Sequence, residues 1–159
     1  MMKTIRRRRL EKKTDYKSRL ALLKSDKPRL VIRKTNRYIL AQAVETKVAQ
    51  DSTIMAVTSK DLLSKGWPED KSGSLKSKSA AYLTGLLLGK LLKGKLKQDL
   101  ILDIGMHRNI KKSRIYAVLK GVLDSGLNIN HDAKILPSVE EIKSKKELNA
   151  IFEKVKEKI

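Results

Sequence analysis

The side chains able to do covalent chemistry are few and scattered. Cysteine is absent, and His107 and His131 are the only histidines. That removes disulfides and thiol nucleophiles and leaves no ligand set for zinc. Asp103 sits in the apolar run LILDI at Leu100–Ile104, where a nuclease places a magnesium carboxylate. Such a site needs several convergent acids, and neither Asp99 nor Asp124 stands at a fitting position. Asp103 reads better as a strand-end residue that pairs with a base or caps a loop. The run Gly85-Leu86-Leu87-Leu88-Gly89-Lys90 lacks P-loop spacing and falls inside a helical pattern. The expectation is a non-enzyme with no cofactor, no metal and no small-molecule substrate.

The chemistry the chain does carry is cationic. Its 159 residues hold 37 Lys and Arg against 17 acids, a formal +20. Residues 1–37 alone hold 15 cations and 3 acids, so +12 of that charge lies at one end. Such a chain repels itself and is better placed beside a polyanion, whose phosphates offset the charge. Nucleic acid is the leading partner and an anionic membrane surface the runner-up. Residues 1–9 are basic with no apolar run after them, unlike a secretory signal. Tyr82–Leu92 is too short to span a membrane and contains Lys90.

Three constellations concentrate the charge. Arg6-Arg7-Arg8-Arg9 cannot share a core and repel one another unless anions intervene. Arg33, Lys34, Thr35, Asn36, Arg37 and Tyr38 form a basic tip with a hydrogen-bonding amide and a ring, a set suited to gripping RNA. Gly105–Arg114 brings His107, Arg108, Lys111, Lys112 and Arg114 to the start of a helix, whose free N–H groups favour phosphate. The plainer readings are a disordered tail or nuclear address, a solvated turn, and a loop kept soluble by its charges. Lys71, Lys76 and Lys78, in the Gly/Ser/Lys-rich stretch Gly66–Ser79, are also within reach of phosphates; Trp67 there reads as an anchor more than a base-stacking ring.

The elements that must position these groups read as follows. Residues 1–27 are a basic arm that orders on RNA, with a short helix over Asp15–Lys24 capped by Thr14. Residues 28–136 are a mixed-sheet domain and 137–159 a helical extension. Pro28–Gln42 reads as a β-hairpin, because Leu30, Val31 and Ile32 and then Tyr38, Ile39 and Leu40 are strand formers around a Thr35-Asn36 turn, Asn tolerating a positive φ. Strands over 29–34, 37–46 and 52–58 make an antiparallel meander, with Val48–Ser52 as its second turn. Helical spacing follows over Ser79–Leu92, with Gly85 and Gly89 allowing close approach to the sheet, then the strand Leu100–Ile104 and a helix capped by Ser113 and stopped by Gly126. The order βββαβα predicts an α/β (mixed α+β) fold: the meander extended by a parallel strand, with helices packed on the sheet. In the extension, Ser138 and Glu141, and Ser144 and Glu147, fit capping boxes. Leu148, Ile151, Phe152, Val155 and Ile159 form a stripe that its own domain, a neighbouring protein or a lipid surface must cover.

Several long runs, in order, resemble one family. RRRRLEKKTDYKSRLALL at Arg6–Leu23, PRLVIRKTNRYILAQ at Pro28–Gln42, AAYLTGLLLGK at Ala80–Lys90, LDIGMHRNIKKSRIYAVLKGVLDSGLNI at Leu102–Ile129 and HDAKILPS at His131–Ser138 are similar to the archaeal and eukaryotic branch of the large-subunit ribosomal proteins that bind 5S ribosomal RNA. The resemblance spans about residues 6–140. It implies a structural protein of the cytoplasmic ribosome that docks 5S RNA in the central protuberance and connects it to the large ribosomal RNA and to neighbouring proteins. It further implies RNA contact along the arm, Arg6 to Tyr16 with Lys12, Lys13 and Thr14, and at the tip, Arg33–Tyr38. The family commonly carries Gly-Lys-Thr-Asp-Tyr where this chain has Lys12-Lys13-Thr14-Asp15-Tyr16. Residues from Val139 onward lie outside the resemblance.

Overall fold

Alternating apolar residues in the first strand face a helical layer, and the rest of the chain builds around it. The computed structural model describes residues 7–11, 13–47, 50–96, 99–143 and 146–159. Strands β1 (Arg29–Lys34), β2 (Ile39–Lys47) and β3 (Gln50–Thr58) form the meander, and β4 (Ile101–Asp103) joins its other edge. The sheet order is β3-β2-β1-β4. β1 pairs antiparallel with β2, Lys34 opposite Ile39, and parallel with β4, Val31 opposite Asp103. A bulge at Ala43/Val44 shifts the β2–β3 register. The mixed α/β layout predicted from the sequence is the observed one.

Helices α3 (Lys78–Leu92) and α4 (Arg114–Asp124) supply the helical layer. Leu30 and Ile32 are fully buried with Leu83, Leu88, Val118 and Leu119 in one continuous core. Gly85 and Gly89 let α3 approach α4, not the sheet as their spacing suggested. A methyl at Gly85 overlaps the Val118 carbonyl, one at Gly89 the Ser125 side chain, and one at Gly121 the Tyr82 carbonyl. Gly85 on α3 and Gly121 on α4 each meet the backbone of the opposite helix, a close approach that side chains there would hold apart.

The C-terminal stripe is covered by the chain itself. Leu148, Phe152 and Val155 are buried, and the Phe152 ring lies 5.6 Å from that of Tyr82 on α3. Helix α6 (Lys146–Lys158) follows α5 (Val139–Ile142), where Ser138 and Glu141 form the expected capping box. The second proposed box includes Ser144, which lies outside the described residues.

Several local details depart from expectation. Asp15, not Thr14, caps the arm helix α2 (Tyr16–Leu23), its carboxylate accepting from the Lys17 and Ser18 amides. Thr14 instead accepts from Arg8 Nε at 2.9 Å. Upstream, Arg7–Leu10 form a helical turn, α1, where an unstructured tail was expected. Arg37 and Tyr38 belong to the turn, which needs four residues, and β2 begins at Ile39. The turn is closed by Thr35, whose amide donates to the Tyr38 carbonyl at 2.9 Å and whose hydroxyl bonds both Tyr38 backbone groups. Asn36 needs no left-handed backbone: the described non-glycine residues with positive φ are Asp26 and Lys112. β3 starts at Gln50, two residues before the expected strand over 52–58, so Gln50–Ser52 of the expected turn belong to it; residues 48–49 lie outside the described residues. Gly66–Ser79 is ordered by a 3-10 helix at Glu69–Ser74 and by buried Trp67, which donates to the Lys71 carbonyl. Ser113 begins α4, but its hydroxyl makes no cap bond.

Candidate nucleic-acid interface

β1 sends its odd-numbered side chains away from the helices. Arg29, Val31 and Arg33 share that face, which the arm partly roofs. Arg29 is 4% exposed; its guanidinium donates to Asp103 at 3.0 Å, to Asp51 at 2.8 Å and to Thr46 at 3.1 Å. Arg33 donates to the Asp103 carboxylate at 2.9 Å and its carbonyl at 2.8 Å. Asp103 also accepts from the Gly105 amide at 2.9 Å, which turns the chain out of β4. Asp103 is therefore the strand-end clamp the sequence suggested. On the far side Arg19 of α2 pairs with Asp51 at 2.9 Å. Burial pushes the Asp51 carboxyl up, but the Thr46 hydroxyl and the Arg29 guanidinium outweigh that and hold it below its usual value. This Arg19–Asp51–Arg29–Asp103–Arg33 chain ties arm, meander and β4 together. Above it lies an open groove of about 730 Å3, bounded by Arg8, Lys13, Thr14 and Ser18 of the arm and by Val31, Gln42 and Thr53 of the sheet.

A second concavity opens where β1 ends. The Lys34 amide donates to His107 Nε2 at 3.0 Å, so the hairpin is bonded to the β4–α4 loop. Burial lowers the pKa of His107, and the charges of Arg33 and Lys34 lower it further, so the ring is held neutral as an acceptor. Lys76 Nζ donates to the Asn36 carbonyl at 2.9 Å, which brings the Gly/Ser/Lys stretch to the same tip. The hairpin tip, the start of α3 and the loop His107–Arg114 are thus assembled in one region.

The cations differ in how free they are. Arg7 and Lys13 pair with Glu11, Arg8 with Thr14, Arg33 with Asp103, and Lys112 with Glu141 at 2.8 Å. Lys71 reaches the Glu147 carbonyl at 3.5 Å. By contrast Lys34, Arg37, Arg108, Lys111 and Arg114 make no side-chain hydrogen bond or ion pair among the described residues, and all but Arg114 are exposed. Arg9 is exposed on the arm, Tyr16 opens α2, Asn36 projects at the tip, and Lys78 starts α3. The Tyr38 ring is half-buried against the core. Asn109 accepts from the Tyr116 hydroxyl, which fixes the loop on α4. Arg6 and Lys12 lie outside the described residues.

Sequence reasoning missed Arg29, Arg19 and Asp51. The i, i+2 spacing of Arg29, Val31 and Arg33 was the available signal, because it puts both guanidiniums on one face of the strand. It also missed the apolar loop residues Met106 and Ile110.

A chain with this basic surface on a mixed sheet has counterparts among known proteins. The family described as ribosomal large subunit proteins 60S L5 and 50S L18 matches residues 2–101. The chain belongs to this family. It is similar to the protein named large ribosomal subunit protein uL18 of Korarchaeum cryptofilum, 48% identical over 137 residues, covering 86% of this chain and 68% of that protein. The uL18 of Aeropyrum pernix is 41% identical over 138 residues, 86% of this chain and 63% of its own length. That of Methanoculleus marisnigri is 44% identical over 137 residues, 86% and 76%. The matched stretch thus spans about two thirds of the first two relatives. The family is one of structural ribosomal proteins, not enzymes, and the archaeal type the sequence suggested is the type these relatives represent. No helix of the described residues is long and apolar enough to cross a membrane.

Proposed function

We propose that this chain is a structural constituent of the large subunit of the cytoplasmic ribosome that binds 5S ribosomal RNA and helps attach it to the large ribosomal RNA in the central protuberance, beside neighbouring ribosomal proteins. The observation that carries the reading is the convergence, at the end of β1, of cations unpaired among the described residues: Lys34 and Arg37 from the hairpin, Arg108 and Lys111 from the β4–α4 loop, and Arg114 at the start of α4. Cations left without protein partners on a rigid surface are what a phosphate backbone needs. Family membership supplies the ribosomal context.

The roles divide by how each group is held. Arg7, Arg8, Arg9 and Lys13, with Arg6 and Lys12, act as counterions along the arm. Arg33 acts indirectly, by fixing the tip against β4. Asn36, Arg37 and Tyr38 present directed contacts. Lys76, Lys78, His107 and Lys112 shape the surrounding surface, and Thr14 and Tyr16 set the arm's course. The membrane-surface alternative loses its element, because the α6 stripe is buried against α3.

The test is binding of purified protein to 5S RNA in magnesium across a salt series. The expected result is a saturable complex with intact RNA, whose affinity falls with salt by on the order of one log-slope unit per phosphate contact. Absence of a complex at moderate salt contradicts the proposal.

A further inference from the structure

The concavity beside His107 has a chemistry that phosphate contact alone does not explain. Its volume is about 500 Å3, within the roughly 300–1,000 Å3 of pockets that enclose small molecules. Lys34 of β1, Lys78 of α3, Arg108 of the β4–α4 loop and Arg114 of α4 line it, and no carboxylate among the described residues does. Its other walls are Met106, Ile110 and Ile115 with the His107 ring and Ser113. Ile115 is buried and forms a floor, whereas Met106 and Ile110 are 54% and 58% exposed. Large apolar side chains left more than half in water beside four cations mark a surface that is covered by a partner. A duplex backbone offers only phosphate and sugar there and leaves both side chains without an apolar partner. An unstacked nucleotide offers both parts: a flat base for the apolar walls and a phosphate for the cations.

We infer that this pocket receives one extruded nucleotide of the bound RNA, its base against Met106, Ile110 and Ile115 and its phosphate on Arg108, Arg114, Lys34 and Lys78. The inference rests on the RNA-binding reading above and adds to it a base-accepting subsite. The His107 ring forms one wall at fixed orientation, because its Nε2 is occupied by the Lys34 amide at 3.0 Å. The Ser113 hydroxyl has no partner among the described residues and stands at the same wall. An acidic, apolar protein segment is the competing occupant; four cations around a wall of three apolar side chains favour the nucleotide.

The test uses the full-length protein labelled with 15N and with 13C methyl groups. It is titrated separately with adenosine monophosphate, ribose 5-phosphate, and a short peptide of alternating glutamate and leucine. The mononucleotide is expected to shift the Met106, Ile110 and Ile115 methyls by ring current and to bind about five-fold tighter than ribose 5-phosphate, the low end of what one base contributes on a protein surface. The double variant Met106→Ser, Ile110→Ser alters only exposed side chains and is expected to abolish that preference while ribose 5-phosphate binds as before. Equal binding of the two phosphates, or a lack of methyl shifts, overturns the inference by reducing the pocket to an anion patch. Tighter binding of the peptide than of the mononucleotide overturns it in favour of a protein partner. A parallel measurement of 5S RNA affinity separates the claims: a protein that binds 5S RNA but shows no base preference refutes the pocket alone.

Discussion

Arg33 and Asp103, 70 residues apart, form an ion pair of 2.9 Å across the β1–β4 edge, and the Arg33 guanidinium also holds the Asp103 carbonyl at 2.8 Å. An arginine that reads as a free RNA-binding cation is therefore a fastener. It fixes the hairpin tip against the loop that carries Arg108 and Lys111 and leads into Arg114 of α4. The same carboxylate neutralises buried Arg29 at 3.0 Å. Gly105 lies directly beneath this contact, at φ +59, and a Cβ there would sit 2.8 Å from Arg33 Cζ.

Asp103→Ala should be strongly destabilising. It leaves Arg29 buried with Asp51 as its one remaining charged partner among the described residues and frees Arg33. Removing one member of a buried pair costs about 3–5 kcal/mol. Urea denaturation followed by circular dichroism checks this; a loss under about 1 kcal/mol contradicts the clamp, since changes of that size are ordinary for point variants.

Gly85→Ala should disrupt the α3–α4 contact, because the new methyl meets the Val118 carbonyl, a backbone group that cannot rotate away. The expected loss is about 3 kcal/mol, the upper part of the overpacking range. Gly73→Ala is the control: nothing lies within 4 Å of its added carbon. Thermal melts of the two variants should differ clearly, with Gly73→Ala near the parent protein.

His107 should make stability pH-dependent. Its folded pKa is lowered from the ordinary 6.5, so the unfolded chain takes up a proton first as pH falls. The stabilisation is full above that ordinary value, declines as pH drops through it, and is gone below the lowered folded value. His107→Gln keeps an acceptor for the Lys34 amide without titrating. Melts between pH 7.5 and pH 5, which bracket the ordinary histidine value, should show a shallower fall for the variant. Superimposable profiles contradict the neutral, acceptor role.

Deleting residues 1–9 should weaken 5S RNA and tRNA binding together and flatten the salt slope, because these arginines act through charge. Asn36→Ala with Arg37→Ala should reduce the preference for 5S RNA with less change in slope, because both residues stand on a folded turn. Neither change touches Leu30 or Ile32, so circular dichroism should be nearly unaltered. Filter binding in a salt series measures both variants; loss of preference on arm deletion and its retention in the double variant contradicts the division.

The hairpin, the parallel fourth strand and both main helices were legible because their signals are local: strand formers on either side of polar residues, a helical apolar spacing, and Gly126 at a helix end. The partners of those signals were not. Gly85 and Gly89 announce a close approach, but the other surface is α4, which is read from Gly121 only once the two helices are known to cross. Thr14 and Asp15 are both good caps, and one residue of backbone phase decides between them. The arm and loop cations were visible as types, yet which of them are free depends on contacts with Asp103, Glu141 and Asn36 from distant segments. The pocket at Met106 and Ile110 was obscured because two apolar residues in a basic loop have no periodicity to mark them.

Competition between 5S RNA and tRNA for the purified protein, at moderate salt and with magnesium, tests the central claim most directly. Charge alone attracts both RNAs, so only a shaped surface separates them. The account predicts that excess tRNA leaves most of the 5S RNA complex intact while unlabelled 5S RNA displaces it. Equal displacement by both RNAs would show a nonspecific polycation and contradict the account.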